Sequence, residues 1–159
     1  MEDFERVYNS ALRFLSYRPR SEKEVRDRLK IKYQKSNLKN LPLIIDKVIQ
    51  KLKEKKFIND EEFTKGWVEN RLRFKPRSLR LIRFELKHKG IDPEIINNLQ
   101  LTIDNDLEQA KTLAGKRLQR YKGLDKQKIY EKLGRYLASK GFDWNTIKKS
   151  IDEVLGKGV

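Results

Sequence analysis

A chain of 159 residues suits one domain or a short array of small units; here it carries 38 Lys and Arg against 23 Asp and Glu, a formal net charge of +15. It has no cysteine and one histidine, which excludes disulfides, thiol chemistry and Cys/His metal sites. A positive excess of this size repels itself in a compact state, so it implies a negative partner: nucleic acid first, an acidic protein surface second, an anionic membrane third.

The opening Met1-Glu2-Asp3-Phe4-Glu5 is acidic and polar, unlike a signal peptide. Phe4, Val7, Tyr8, Ala11, Leu12 and Leu15 fall at i, i+3, i+4, i+7 and predict a first helix. After the turn Arg18-Pro19-Arg20-Ser21, the run Ser21-Glu22-Lys23-Glu24 reads as a capping box opening a second helix. The polar stretch Lys32 to Asn40 reads as a loop, or a helix extension followed by one. Ile45, Val48, Ile49 and Leu52 then mark a third helix. The longest apolar run, Leu41 to Ile45, contains Pro42 and falls far short of the ~18 residues of a membrane span. A soluble, cytoplasmic protein is expected.

Asn59-Asp60-Glu61-Glu62 reads as another capping box, leading a helix in which Phe63 and Trp67 look like core. A helix opened by Ser78 buries Leu79, Ile82 and Leu86, Gly90 closes it, and Asp92-Pro93 caps the next. Leu107, Ala110, Ala114, Leu118 and Tyr121 share one further face; Ile147, Ile151, Val154 and Leu155 share another, after Gly141 and the capping Asp143. No segment alternates with period two, so the fold class is all-α.

The chain repeats itself. A shift of 57 residues carries Tyr17 to Phe74, Arg18 to Lys75, Pro19 to Pro76, Arg20 to Arg77, Ser21 to Ser78, Val25 to Ile82 and Leu29 to Leu86. A shift of 104 carries Tyr17 to Tyr121, Val25 to Ile129 and Leu29 to Leu133. Lys89-Gly90-Ile91-Asp92 resembles Lys140-Gly141-Phe142-Asp143. Three tandem three-helix repeats are expected, over 1–58, 59–103 and 104–159, each helix-turn-helix-like and stacked on its neighbour in an elongated array.

Charge is concentrated in 65–91, where Lys65, Arg71, Arg73, Lys75, Arg77, Arg80, Arg83, Lys87 and Lys89 face only Glu69 and Glu85. Arg80, Arg83 and Lys87 share a helix face, and Lys23, Arg26 and Lys30 repeat it 57 residues earlier. The third repeat has Gln127, Tyr130 and Gly134 instead. The predicted binding residues are Lys23, Arg26, Lys30, Arg73, Lys75, Arg77, Arg80, Arg83 and Lys87, gripping phosphates without reading sequence. Tyr17, Phe74 and Tyr121, at matching helix ends, could stack on bases, but packing between helices is the preferred reading.

No catalytic constellation stands out. His88 lies between two lysines at a helix end; Gly115-Lys116-Arg117 lacks the rest of a phosphate loop. Asp60-Glu61-Glu62 and Asp104-Asn105-Asp106 sit at helix starts, where carboxylates cap backbone. They supply the only motive for a Mg²⁺-dependent enzyme. The reading is of a non-enzymatic protein without cofactor or metal.

The stretch Phe57-Ile58-Asn59-Asp60-Glu61-Glu62-Phe63, with Trp67, Arg71, Pro76 and Leu86-Lys87-His88-Lys89-Gly90-Ile91, resembles the middle unit of the bacterial recombination regulators of the RecX family. Ala11-Leu12 to Leu29 is similar to the family's first unit, and Leu137 to Phe142 to its third. Thr64 stands where alanine is usual, and the 32–40 stretch replaces a shorter link. The resemblance implies a cytoplasmic regulator of nine helices that lies in the groove of the RecA–single-stranded DNA filament. It would inhibit filament extension, ATP hydrolysis and strand exchange, with double-stranded DNA as a further ligand and no membrane contact. The alternative is a stand-alone, non-sequence-specific DNA-binding protein.

Overall fold

In the computed structural model, the residues described are 2–99 and 103–156, without the side chains of 103 and 104. Among them are nine α-helices, one 3-10 turn and no strand. The first repeat holds α1 (Glu2–Tyr17), α2 (Glu22–Tyr33) and α3 (Leu41–Glu54); the second α4 (Asp60–Phe74), α5 (Leu79–His88) and α6 (Pro93–Asn97). The third holds α7 (Ile103–Leu118), α8 (Lys126–Ser139) and α9 (Trp144–Gly156), with Gln119–Tyr121 forming the 3-10 turn.

The helix boundaries follow local chemistry. Ser21 Oγ accepts from the Glu24 N–H while Glu24 accepts from the Ser21 N–H, a closed capping box. Asn59 accepts from Glu61 and Glu62, Asp92 from Glu94, and Asp143 from Thr146. Gly90 and Gly141 take φ of 76° and 89°. Behind each, the next N–H reaches five residues back, Ile91 to Leu86 and Phe142 to Leu137, as helix-closing motifs require. The same motif ends α3 at Lys56, φ 63°, where Phe57 N–H reaches Leu52. The 32–40 stretch divides: α2 runs to Tyr33, and the rest is a turn and loop ending on left-handed Asn40.

Five of the apolar residues matched by the repeat are core residues. Val25, Leu29, Ile82, Leu86 and Leu133 are fully buried. In one cluster α1, α2 and α3 join through Val7, Ala11, Val25, Leu29, Ile45, Val48, Ile49 and Leu52; in another α7, α8 and α9 join through Ala110, Ala114, Leu133, Leu137, Ile147 and Ile151. Truncating any of the buried leucines to Ala would remove about 2–5 kcal/mol. Trp67 differs from the sequence reading. It is half-exposed, with its Nε1 donating to Glu85 and the Arg71 guanidinium over its ring, so its polar edge keeps it out of a core.

Packing groups the chain otherwise than the sequence period does. One compact unit spans 1–66 with 86–97; the other spans 67–85 with 98–159. The division crosses α4 between Gly66 and Trp67, and α5 between Glu85 and Leu86. Each unit is organised around the start of one helix. In the first, the Glu22 N–H donates to Asp60 at 2.9 Å and Ser21 Oγ to the Lys89 carbonyl at 2.7 Å. In the second, the Leu79 N–H donates to Asp106 at 2.7 Å and the Ser78 N–H to the Lys140 carbonyl at 3.0 Å. These are matching joints: the start of a repeat's second helix rests on the acid and the Lys-Gly ending of the following repeat.

Candidate nucleic-acid interface

Local ion pairs separate the cations held by the fold from those left exposed. At the start of α2, Arg26 donates to Glu22 at 2.8 Å and to Asp46 at 2.7 Å, and its side chain is only 30% exposed. Lys23 pairs with Asp27 at 2.7 Å. The expectation of a bare first-repeat ridge is therefore revised: two of its three cations are neutralised by their own fold, and Lys30 alone stays exposed without an ion pair among the described residues. Both intrahelical pairs have i, i+4 spacing, so the signal was present in the sequence.

Along α5 the acids that flank the first ridge have no counterpart. The positions matching Glu22, Glu24 and Asp27 hold Leu79, Leu81 and Phe84. Arg80, Arg83 and Lys87 are exposed and form no ion pair among the described residues. Arg80 donates to the Gly141 carbonyl at 3.2 Å, a neutral acceptor, and has no salt bridge among the described residues. One carboxyl lies in the field of Arg80 and another in that of Arg83. Asp143 is held below its ordinary value by the Thr146 N–H and side chain, with a smaller contribution from Arg80. Asp106 is pushed up by burial, against the Leu79 N–H and Arg83.

The turn before α5 sorts its own cations. Arg77, 17% exposed at its side chain, donates to Glu85 at 2.6 Å and to the Lys75 carbonyl at 3.0 Å. Arg71 meets the same carboxylate at 3.2 Å. Arg77, expected at the interface, instead braces the turn. Arg73 and Lys75 are exposed around it. Of the nine cations in 65–91, Lys65, Arg71, Arg77 and Lys89 are tied to carboxylates. Arg73, Lys75, Arg80, Arg83 and Lys87 remain.

The aromatics also depart from the sequence reading. Tyr17 is 78% and Phe74 66% exposed, so neither packs between helices; each is the last residue of its helix. Tyr121 does pack, against the α7–α9 core, with the Arg117 side chain donating to its hydroxyl. In the third repeat the positions of the ridge line an apolar depression of ~880 Å³, with Tyr130, Gly134, Trp144 and Ile147 in its wall. Among the described residues no three His, Asp or Glu side chains gather as a metal site, and no helix is long and apolar enough to cross a membrane. Asp60 and Asp106 are occupied as helix caps; the Asp104 side chain lies outside the described residues.

Three stretches match family descriptions: residues 8–34 the first three-helix domain of RecX, 59–98 the second and 104–151 the third. The chain belongs to the RecX family. It is 38% identical over 163 residues to the regulatory protein RecX of Clostridium beijerinckii, covering 99% of this chain and 72% of that protein. To the RecX of Bacillus velezensis it is 32% identical, covering 96% of this chain but 56% of the relative, so the chain spans little more than half of that protein. The crystal structure of RecX from Lactobacillus salivarius superposes with a TM-score of 0.77 at 29% identity, over 96% of this chain and 97% of that one. Three tandem three-helix domains are thus a RecX architecture, and the relatives that share it carry the name regulatory protein RecX.

Proposed function

We propose that this RecX protein regulates the RecA recombinase by occupying the groove of the RecA–single-stranded DNA filament, limiting its extension, ATP hydrolysis and strand exchange. The observation that supports the reading is the exposed ridge of Arg80, Arg83 and Lys87 on α5, without a salt bridge among the described residues, together with exposed Arg73 and Lys75 in the same repeat and a net charge of +15. Such a ridge holds phosphates as point charges and forks, giving affinity without sequence information. Occupancy of a groove inhibits without any reacting group. In this reading the second repeat makes the main contact with the anionic track, Lys30 adds to it, and Lys23, Arg26 and Arg77 act through the fold.

The test is recombinase ATP hydrolysis on single-stranded DNA with the Arg80→Glu, Arg83→Glu, Lys87→Glu triple variant. Lost inhibition with unchanged helicity supports the reading; undiminished inhibition removes this surface from it. The same ridge also suits a stand-alone DNA-binding protein. Tight binding to naked duplex at ~0.15 M salt, with no effect on the recombinase, would favour that second reading.

A further inference from the structure

We infer that Phe74 and Tyr17 are stacking platforms for the bases of a single-stranded nucleic acid, one in each of the first two repeats. The inference deepens the proposed function, since it rests on the reading that the anionic track contains nucleic acid. Large rings left two-thirds or more exposed forgo burial that a fold ordinarily takes. Here the same position is bare twice, 57 residues apart, while the third repeat turns its equivalent, Tyr121, into its core. Phe74 shares its repeat with exposed Arg80, Arg83 and Lys87, and Tyr17 shares its repeat with exposed Lys30.

The rings are held on fixed turns. In the turn after Phe74, Arg77 ties the Lys75 carbonyl to Glu85, and Glu85 also receives Arg71 and the Trp67 indole N–H. Beside Tyr17, Arg18 donates to the Pro19 carbonyl at 2.8 Å and to Glu24, which closes the capping box. A platform that is already ordered loses little entropy when a base settles on it. Cations stand next to the ring: the Arg73 guanidinium lies 5.2 Å from the Phe74 centroid, and Lys75 follows it, exposed. A π-face beside cations matches a strand that offers bases and phosphates together. A duplex keeps its base faces stacked inside, so the ligand is single-stranded.

The experiment compares naked oligothymidylate with an abasic strand of equal length, using the full chain and the variants Phe74→Ala, Tyr17→Ala and Phe74→Trp. Each alanine variant should weaken oligothymidylate binding roughly tenfold, leave the dependence on salt unchanged, and leave abasic binding as it was. Phe74→Trp should restore affinity, and its fluorescence should be quenched by oligothymidylate but not by the abasic strand. Circular dichroism checks that the exposed substitutions leave the helices intact. Unchanged binding of the alanine variants, an equal loss on both strands, or no binding of the unaltered chain to oligothymidylate overturns the platforms. Lost recombinase inhibition with unaltered strand binding also overturns them, assigning the rings to protein contact. A chain that inhibits the recombinase but shows no base-dependent binding keeps the filament reading and loses this one.

Discussion

Arg77 donates to Glu85 at 2.6 Å across the base of the second repeat's turn. One repeat earlier the matching positions hold Arg20 and Arg28, and both guanidiniums lie over the Phe14 ring, 3.9 and 5.5 Å from its centroid. The arginine kept at both turns is therefore a brace, held by a carboxylate in one repeat and by an aromatic face in the other. Glu85→Ala should leave Arg71 and Arg77 without their shared acceptor in a half-buried place. The expected loss is about 1–3 kcal/mol in urea denaturation. Glu85→Gln, which keeps one acceptor, should lose less.

The cations differ in what their removal does. Arg26→Ala should lower stability by up to about 1 kcal/mol, discounted because the pairs are partly solvated, and should barely change affinity for an anionic strand. Arg83→Ala should behave in the opposite way. It should leave the denaturation midpoint in place and reduce the slope of log K against log salt by about 0.7–0.9. Titrations at several salt concentrations separate the two.

Glycines divide similarly. A Cβ on Gly90 would stand 2.5 Å from the Lys23 Cβ, and one on Gly141 2.4 Å from the Ser78 Oγ, each on a left-handed backbone. Gly90→Ala and Gly141→Ala should each destabilise by at least about 1–3 kcal/mol, since strain and close approach combine. Gly66 and Gly134 lie inside helices with open space around them. Alanine there should stabilise by about 0.5–1 kcal/mol, read as a raised thermal midpoint.

Acid should loosen the first unit. Burial opposes it, but Arg18, the Ser21 N–H and Lys89 together hold the Glu24 carboxyl below its ordinary 4.5. The folded state therefore binds that proton less readily than the unfolded one. Its stabilisation is complete above 4.5 and drains away as pH falls through the depressed folded value. Glu24→Gln should be less stable at neutral pH and lose less on acidification, followed by urea midpoints. Asp106 runs the other way. Burial raises its carboxyl above 3.8, so its ionisation weakens the fold as pH rises from there through the folded value. Asp106→Asn, which keeps the acceptor for Leu79, should gain on the parent over that rise.

Helices, caps and the three-fold repeat were legible because each follows from residues within a turn or two of one another. The pairing of Arg26 with Asp46 was not, since it depends on how α2 meets α3, twenty residues on. Lys56 hid a helix-closing motif because no glycine marks it. The need for glycine at 90 and 141 was half legible: the sequence implied a left-handed residue, but only the docked Lys23 and Ser78 explain why nothing larger fits. Tyr17 and Phe74 were misread because a helix-end aromatic has no local signature telling packing from exposure. The loss of Glu22, Glu24 and Asp27 from the second repeat needed only alignment of the repeats, and it marks which ridge is bare.

The sequence repeats three helices at a time, whereas what coheres is a joint: a helix start seated on the acid and Lys-Gly tail of the set that follows. The middle set gives its front and back to one body and its centre to the other. Cutting cleanly at the sequence period would therefore leave fragments missing half of what steadies them. A lineage that gains or sheds a set has to carry the acid and the glycine tail along, or strand a helix without its seat.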